Sequence, residues 1–524
     1  MSEYIKVYDE GGGNRKLSLI ESVKNPILLE PVNSNDIIIS GTEFSPWYMP
    51  GGNGDASISV ATLPRYAAKV KTNNAAALGY ALVRRQIEPI SFSSSDIIQF
   101  EIYCYNPSNS RRVRFTFATT SSFTNKLMFD GFTGSMGPGH NLISMKLASG
   151  TYSGATSADI WKYLEISFTN PDYQTTLDFE VGPVYVGKVT EVPTVNITFD
   201  SAHKQLYTWA FNSMRKMNIP GNIYVAGNLS TNVSSNYCSI SELQEIRSAG
   251  WGMGIYGFIG SKAANSRSAT SVAMAQSVGA GGNFIINGNE ASGGIAVFDM
   301  PRPIVLICGG NESANGFIVE GIDKNGNSIV RQISGNSATS FKPYSADLFL
   351  TVTRVTAIKA TAGTVSVGTG WGKTELIEDA KKNIAFLKDN KLDGDPLNYA
   401  FPLGENNTLS EEWLREVGVI CARTTYCGSN MFLNQVRRAN RNNRYISSCA
   451  VTLGDTGGFA TFKTQIDNSI ANGMDIYVLS HLDVASAPNR DDLDMGLAYL
   501  SMLHRQGSIR FDTFTSYEKI LSTG

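Results

Sequence analysis

Two side chains able to exchange protons stand where apolar, strand-like runs end. Asp200 closes the run Val195–Asp200, and His481 follows the run Ile476–Ser480. A carboxylate and an imidazole held side by side can act as general base and general acid in a hydrolysis. Without a metal ion, water keeps a high pKa and hydroxide is scarce at neutral pH. The two residues are therefore candidates for an acid–base pair that a metal would have to complete.

The chain offers few ligands for such a metal. Histidine occurs only at positions 140, 203, 481 and 504, and the six cysteines show no Cys-x-x-Cys spacing. The nearby His/Asp set consists of Asp200, His203, His481 and Asp483. A zinc ion held by Asp200, His203 and His481 stays an open alternative, provided that ligand number and geometry are met. The other possibility is that His203 is an ordinary loop residue and that Asp200 caps the following helix.

Composition limits the function classes. The 524 residues are too many for one ordinary domain, and roughly three are expected. With 44 Lys+Arg against 46 Asp+Glu, the net charge is −2, which argues against a nucleic-acid partner. No run of about 18 apolar residues indicates a membrane span, and the first residues, MSEYIKVYDEGGG, do not resemble a secretory signal. The 50 glycines and only 17% charged residues favour a β-rich chain with many turns.

Hydrophobic periodicity divides the chain into four parts. Residues 1–35 are predicted to be a polar arm or attachment segment. Residues 36–188 carry short strands between turn clusters, typical of an antiparallel β-sandwich. Strands and helices alternate over 189–265 and again over 373–524, with about seven strands each followed by a helix, which predicts a parallel (β/α)7 barrel. Residues 266–372 show no clear helix and are predicted to be an inserted all-β domain.

Several elements are predicted with explicit limits. A capping box, Ser239 with Glu242, begins a helix over Ser239–Ala249 that Gly250 ends. Another helix is predicted over Gln205–Met217. In the insert, Asp323-Lys324-Asn325-Gly326 predicts a hairpin turn. The strands predicted in the insert are Asn283–Ile286, Ile304–Cys308, Gly316–Gly321, Ser328–Ile333, Leu348–Val355 and Thr364–Val367.

The two β parts resemble known modules. The sandwich pattern resembles the jelly-roll, carbohydrate-binding-module-like sandwiches that precede glycan-active domains. The insert's series GFIVEGIDKNGNSIVRQI and FLTVTRVTAIKATAGTVSVGTG resembles a small β-module of bacteriophage structural proteins. The second resemblance implies a place in a phage virion, in its tail, fibre or baseplate.

The strand–helix array resembles the polysaccharide deacetylases of carbohydrate esterase family 4. The segments that carry the resemblance stand in the family's order: ITFDSAHKQLYTWAFNSMRKMNIPGNIYV, SISELQEIRSAGWGMGIYGF, NYAFPLGENN, GVICARTT, DIYVLSHLD and FDTFTSYEKIL. The resemblance implies a barrel that removes acetyl groups from N-acetyl sugars with one divalent metal, usually zinc. In that scheme the metal polarises the carbonyl and binds the attacking water.

The metal motif departs from the family at every ligand. Where the family has T-F-D-D, this chain has Thr198-Phe199-Asp200-Ser201, so the base is present as Asp200 and the ligand is replaced by Ser201. The two histidine positions hold Tyr256 and Gly260. The R-x-P-x-G arginine that tunes the base is replaced by Ala400 in the segment 400–404, while Leu479-Ser480-His481 keeps the general acid.

Three functions follow as expectations. The first is a non-enzymatic virion protein whose deacetylase-like barrel binds host surface polysaccharide or serves in attachment, with no cofactor and with Tyr256, Tyr399 and Arg423 as binding residues. The alternative is an active metal-dependent deacetylase or esterase that uses zinc. The third is an architectural tail protein that touches no glycan. Aromatic residues that could stack on sugars are Trp47, Tyr48, Trp161, Tyr256 and Tyr426, each of which could instead pack in a core.

The phage resemblance also implies partners and a location. The expected partners are host polysaccharide, other virion proteins and further copies of the chain, as a trimer. The expected location is the phage tail, after assembly in the host cytoplasm.

Overall fold

The chain is mostly β, with antiparallel sheets and one barrel-like parallel sheet. The computed structural model describes residues 4–8, 14–18, 37–39, 47–50, 56–62, 66–72, 80–93, 96–105, 112–129, 139–147, 150–169, 178–188, 192–228, 236–257, 267–337, 343–392, 397–402, 407, 409–423, 432–433, 446–447, 451–452, 458–471, 476–480 and 487–513. Within these residues, no helix combines the length and apolarity needed to cross a membrane.

The expected N-terminal arm contains a β-hairpin. Strand β1 (Tyr4–Tyr8) pairs antiparallel with β2 (Asn14–Ser18), with Tyr4 opposite Ser18. Four of the five residues of β1 are aromatic or β-branched, which favours a strand. These two strands were not predicted from the sequence.

Two antiparallel sheets follow. Their strands are β3 (Ile37–Ile39), β4 (Trp47–Tyr48), β5 (Ala56–Val60), β6 (Ala68–Thr72), β7 (Tyr80–Ile90), β8 (Asp96–Cys104), β9 (Arg112–Ala118), β10 (Lys126–Phe129), β11 (Gly139–Lys146), β12 (Thr151–Ser153), β13 (Trp161–Thr169) and β14 (Asp178–Lys188). The six-stranded sheet has the order β12-β10-β9-β13-β7-β4, and the second sheet contains β11-β8-β14-β6-β5 with β3 on β14.

The two sheets share one core. Phe100 of β8 stacks on Phe115 of β9 with ring centroids 3.6 Å apart, and Phe168 of β13 stacks on Phe179 of β14 at 4.5 Å. Each pair joins one sheet to the other, so the sheets form a sandwich.

The parallel sheet begins with β15 (Thr194–Asp200), β16 (Asn222–Val225) and β17 (Gly252–Ile255). Between them lie α1, which is π-helical over Leu206–Phe211 and α-helical over Asn212–Lys216, and α2 (Ile240–Ser248). The predicted capping box is present: Ser239 Oγ accepts from the Glu242 amide, and the Glu242 carboxylate accepts from the Ser239 amide. The predicted helix over Gln205–Met217 is confirmed in position but begins as a π-helix.

An inserted all-β domain follows. Its strands are β18 (Ser268–Gln276), β19 (Ala291–Ser292), β20 (Ile295–Cys308), β21 (Gly316–Ile322), β22 (Ser328–Ser334), β23 (Tyr344–Ala357) and β24 (Val365–Thr369). They form one antiparallel sheet, in the order β18-β24-β20-β23-β21-β22, around a separate hydrophobic core. The strand predicted over Asn283–Ile286 is wrong, because Asn283 makes only an isolated bridge with Thr356. Strands β18 and β19 were not predicted, since small and polar residues hide their alternation.

The parallel sheet then resumes. Its elements are α3 (Lys373–Asp389), β25 (Leu397–Ala400), α4 (Ser410–Arg415), β26 (Val419–Arg423), β27 (Phe432–Leu433), β28 (Ile446–Ser447), β29 (Val451–Thr452), α5 (Gly458–Ala471), β30 (Ile476–Ser480), α6 (Ala487–Arg505) and β31 (Arg510–Phe511). The strand order is β28-β26-β25-β17-β16-β15-β30-β29, with β31 on β15, whereas β27 joins β11 of the sandwich. The last predicted helix lies outside the described residues.

A contact across the parallel sheet shows that it is curled. Three strands separate β26 from β15, so in a flat sheet the two would lie about 19 Å apart. Arg423 of β26 nevertheless reaches Asp200 of β15 at 2.5 Å. Side chains from both strands therefore meet inside a barrel-like sheet.

The insert contacts both neighbours. Leu348 of β23 packs in the barrel core, and buried Arg302 of β20 pairs with Glu375 of α3 at 2.8 Å. On another side, Arg331 of β22 pairs with Asp178 of the sandwich at 3.4 Å. The domain limits at residues 35, 188, 265 and 372 stay predictions.

Candidate functional site

Asp200 and Arg423 form the centre of the candidate site. Val195, Ile197 and Phe199 of β15 pack in the core shared with the helices, so the alternate residue Asp200 points into the barrel. Arg423 Nη2 donates to Asp200 Oδ1 at 2.5 Å and to Oδ2 at 2.6 Å. The carboxylate is only 8% exposed and the guanidinium is buried. The predicted base is therefore engaged in a buried charge pair.

The surroundings stabilise the arginine cation. Burial opposes the charge, but the adjacent Asp200 carboxylate outweighs it, and the pKa of Arg423 is raised. The Tyr224 ring lies 5.1 Å from the guanidinium carbon, within cation–π range. Arg423 Nε and Nη1 are buried and donate no hydrogen bond to any residue that the structure describes. Buried donors usually find an acceptor, so these two nitrogens stand out among the polar atoms of the barrel interior.

The chain turns in an unusual way directly after Asp200. Ser201 has φ 62° and Ala202 has φ 53°, a left-handed conformation that non-glycine residues adopt rarely. The next residue, His203, forms a β-bridge with Tyr237, and the two rings lie 4.8 Å apart. Strained turns of this kind concentrate at functional sites.

The described side chains at the expected ligand positions do not fit a zinc ion. Structural and catalytic zinc sites use thiolate, imidazole or carboxylate ligands, and the expected positions hold the Ser201 hydroxyl and the Tyr256 phenol. Both oxygens of Asp200 already face a cation in Arg423. Within the described residues, no group of three His, Cys, Asp or Glu side chains could hold a metal. His481, Asp483 and Gly260 lie outside those residues, so the zinc set with Asp200 and His203 stays a prediction.

The other two predicted binding residues, Tyr256 and Tyr399, are both buried. Tyr256 follows β17 and is 6% exposed, and its amide donates to the Val225 carbonyl. Tyr399 packs beside Phe401 in the core between sheet and helices, where burial raises the pKa of its phenol. This location does not fit the predicted binding role of Tyr399. Tyr224, which was not predicted as a site residue, faces the barrel interior beside Arg423. The sequence could have indicated this, because Tyr224 alternates with Ile223 and Val225, which pack in the core.

The aromatic residues predicted to stack on sugars differ in their exposure. Trp47 and Trp161 are buried in the sandwich core, so they are not available to a ligand. Tyr48, on the edge strand β4, is 41% exposed. Tyr426 lies outside the described residues.

Comparisons with known proteins find similarity only among solved structures. No protein-family model matches the chain, and no curated protein matches it. A candidate polysaccharide deacetylase from Mycobacterium smegmatis is 9% identical, with 64% of this chain and 91% of that chain covered and a TM-score of 0.33. A family 4 acetyl xylan esterase from Clostridium thermocellum is 10% identical, with 62% and 89% covered and a TM-score of 0.28.

A third solved structure is similar to a smaller part of the chain. It is a family 11 carbohydrate-binding module from Clostridium thermocellum, 13% identical, with 29% of this chain and 95% of that chain covered and a TM-score of 0.22. At these values the overlap is partial, and functional conclusions depend on the residues of the chain itself.

Proposed function

We propose that this chain is a bacteriophage tail protein that binds polysaccharide on the host surface, and that its barrel does not hydrolyse the glycan. The observation that carries the proposal is the buried pair of Asp200 and Arg423. A general base must accept a proton from water at an accessible oxygen. Here both oxygens of the carboxylate accept from one guanidinium.

The charge of Arg423 also disfavours a metal ion at this site. A metal that polarises a carbonyl would have to bind beside Arg423, whose charge the site stabilises. A metal cation directly beside the Arg423 guanidinium is strongly unfavourable in a buried site, because the two positive charges repel each other. A barrel of this kind is suited to holding a ligand or a neighbouring domain rather than to activating water.

The glycan and virion parts of the proposal have separate support. The parallel barrel-like sheet and the antiparallel sandwich agree with the folds that the deacetylase-like and carbohydrate-binding-like segments imply. The phage assignment depends on the residues of the insert, which form an all-β domain with its own core. We further propose that residues 1–35 attach the chain to another virion protein, that it assembles as a trimer in the host cytoplasm, and that it acts in the tail.

Metal stoichiometry tests the absence of hydrolysis. The purified chain would be incubated with zinc, desalted and analysed by mass spectrometry, with Asp200→Ala and His481→Ala alongside. We expect no retained zinc and no acetate release from acetylated chitin oligosaccharides. One zinc per chain that is lost in either variant, with acetate release, would establish the active deacetylase instead.

Adsorption tests the binding role. Labelled full-length chain is expected to bind cells of the phage host and to compete with virions. Absence of binding to cells and to their extracted polysaccharide, with normal incorporation into particles, would show an architectural tail protein.

A further inference from the structure

The contact between the insert and the sandwich is built around one arginine. Arg331 of β22 pairs with Asp347 of β23, in its own domain, and with Asp178 of β14 at 3.4 Å, across the junction. Asp347 is 9% exposed and Asp178 is 3% exposed. A single guanidinium therefore serves two buried carboxylates that belong to different domains.

The sandwich side of this junction adds one cation and one acid. Lys69 Nζ of β6 lies 3.5 Å from Asp178 Oδ1 and 4.1 Å from the centroid of the Tyr105 ring. Directly opposite Lys69 in the strand register is Glu180, which is completely buried. The Tyr105 hydroxyl donates to Glu180 Oε1 at 2.8 Å. Burial raises the pKa of Tyr105, so this phenol stays a neutral donor.

The junction contains more acids than cations. Among the described residues, its charged side chains are the acids Asp178, Glu180 and Asp347 and the cations Lys69 and Arg331. With every group ionised, this junction cluster carries one negative charge in excess. A buried charge without a counter-ion is unfavourable, and binding of one proton removes it.

Asp347 is the acid of the junction cluster that is best placed to take the proton. Glu180 Oε1 accepts a hydrogen bond from the Thr62 amide at 2.9 Å, which stabilises its charge. Asp178 contacts both cations of the cluster, whereas Asp347 contacts only Arg331 among the described ones. Burial raises the pKa of Asp347 above the ordinary 3.8; Arg331 opposes this rise and the Asp178 charge adds to it.

Separation of the two domains would change the surroundings of Asp347. It would keep Arg331, which belongs to the same domain, and lose the repulsion of the Asp178 carboxylate. Asp347 therefore binds a proton more tightly while the insert is docked on the sandwich than when it is apart. A carboxyl group whose pKa is raised in one state stabilises that state as the pH falls. Its protonation also frees Arg331 to pair with Asp178 across the junction.

From these contacts we propose that the junction is a pH-sensitive switch, which takes up one proton from solvent at Asp347 and holds the insert more tightly on the sandwich as the pH falls. At neutral pH the excess negative charge weakens the contact, so the two domains separate more readily. The proposal concerns how the domains are held together and does not depend on glycan binding.

Hydrogen exchange of the full chain, measured by mass spectrometry between about pH 7 and pH 4.5, tests the switch. Labelling times are scaled to the intrinsic exchange rate at each pH. The reporter segments are β6 (Ala68–Thr72) and β22 (Ser328–Ser334), which carry the two cations of the junction cluster. We expect exchange in both segments to slow as the pH falls, by up to about tenfold per pH unit, the limit for one linked proton.

The variant Asp347→Asn carries a neutral side chain at every pH. Its exchange at neutral pH should already be as slow as that of wild type in acid, and its pH response should vanish. Asp178→Asn removes the excess charge in a second way and should also reduce the response. The matched control is Glu320→Gln, since Glu320 pairs with Arg354 elsewhere on the insert and its loss should leave the response unchanged.

Three results would overturn the switch. The first is wild-type exchange in β6 and β22 that is independent of pH or becomes faster in acid. The second is a full pH response in Asp347→Asn. The third, which also covers a failure of Asp347→Asn to fold, is a full pH response in Asp178→Asn.

Discussion

Arg423, the last residue of β26, stands beside Ala400 of β25 in the register and reaches across the barrel to Asp200. Position 400 is where the deacetylase-like pattern has its base-tuning arginine. The sequence has Ala400 there, as the sequence analysis noted, and the neighbouring strand places Arg423 on Asp200 instead. The barrel therefore contains a buried carboxylate–arginine pair although position 400 holds no arginine.

Removing Arg423 should destabilise the barrel strongly. Arg423→Gln leaves Asp200 buried without its cation, which costs about 3–5 kcal/mol. The double variant Asp200→Asn/Arg423→Gln removes both charges and should recover a large part of that loss. Calorimetric unfolding of the full chain measures both. A double variant no more stable than the single one would contradict a charge pair as the cause.

An exposed pair provides the comparison. Arg354 is 52% exposed beside Glu320, so Arg354→Ala should change stability by about 0–1 kcal/mol. If Arg354→Ala lowered the unfolding free energy as much as Arg423→Gln, the loss would follow from removing any arginine and not from breaking a buried ion pair.

Acid should weaken the turn that follows β15. Lys204, two residues beyond Ala202, pairs with Glu242 of the α2 capping box. Burial tends to raise the pKa of Glu242, but hydrogen bonds from Lys204 and Ser239 outweigh it and the pKa is lowered from 4.5. The stabilisation is therefore complete above pH 4.5 and is lost as the pH falls through the lower folded value.

The variant Glu242→Gln tests this pH dependence. It keeps an acceptor for the Ser239 amide and removes the charge, so its unfolding temperature should fall less between pH 5 and pH 3 than that of wild type. Parallel curves for both proteins over that range would contradict the assignment.

Local patterns predicted the elements better than the contacts between them. The strand-like run Ile476–Ser480 was predicted to the residue, the run Val195–Asp200 is one residue shorter than the observed β15, and the Ser239–Glu242 box located α2. These signals are alternation and capping, which act within a few residues. The hairpin β1–β2 and strand β18 were missed because short or small-residue strands have weak alternation.

The candidate site depends on contacts far apart in the sequence. Asp200 and Arg423 were each singled out as strand ends, but their pairing joins residues 223 positions apart. Only the closure of the parallel sheet brings them together. Tyr399 shows a further limit: being near a strand end does not decide whether a side chain faces the barrel interior or the helices.

The junction between insert and sandwich depends on one arginine. Arg331 pairs with Asp347 of its own domain and with Asp178 of the sandwich, and both carboxylates are buried. Among the described residues, Arg331→Met leaves Lys69, 3.5 Å from Asp178, as the one cation beside these acids. We expect a loss of about 3–5 kcal/mol and faster proteolysis of the insert. Unchanged proteolysis would show that the junction is held by other contacts.

Gly254 tests the packing beneath the Asp200–Arg423 pair. A Cβ atom at Gly254 would lie 2.8 Å from the Tyr224 ring and 3.0 Å from the Asn398 carbonyl oxygen. Since Tyr224 supports the Arg423 guanidinium, Gly254→Ala should displace the ring and cost about 1–3 kcal/mol of unfolding free energy. The matched control is Gly279→Ala, where a Cβ would meet no atom within 4 Å and the change should stay within about 0.5 kcal/mol. Equal unfolding temperatures for the two alanine variants would mean that the barrel interior is not closely packed around Tyr224, and the fixed position of Arg423 over Asp200 would lose its support.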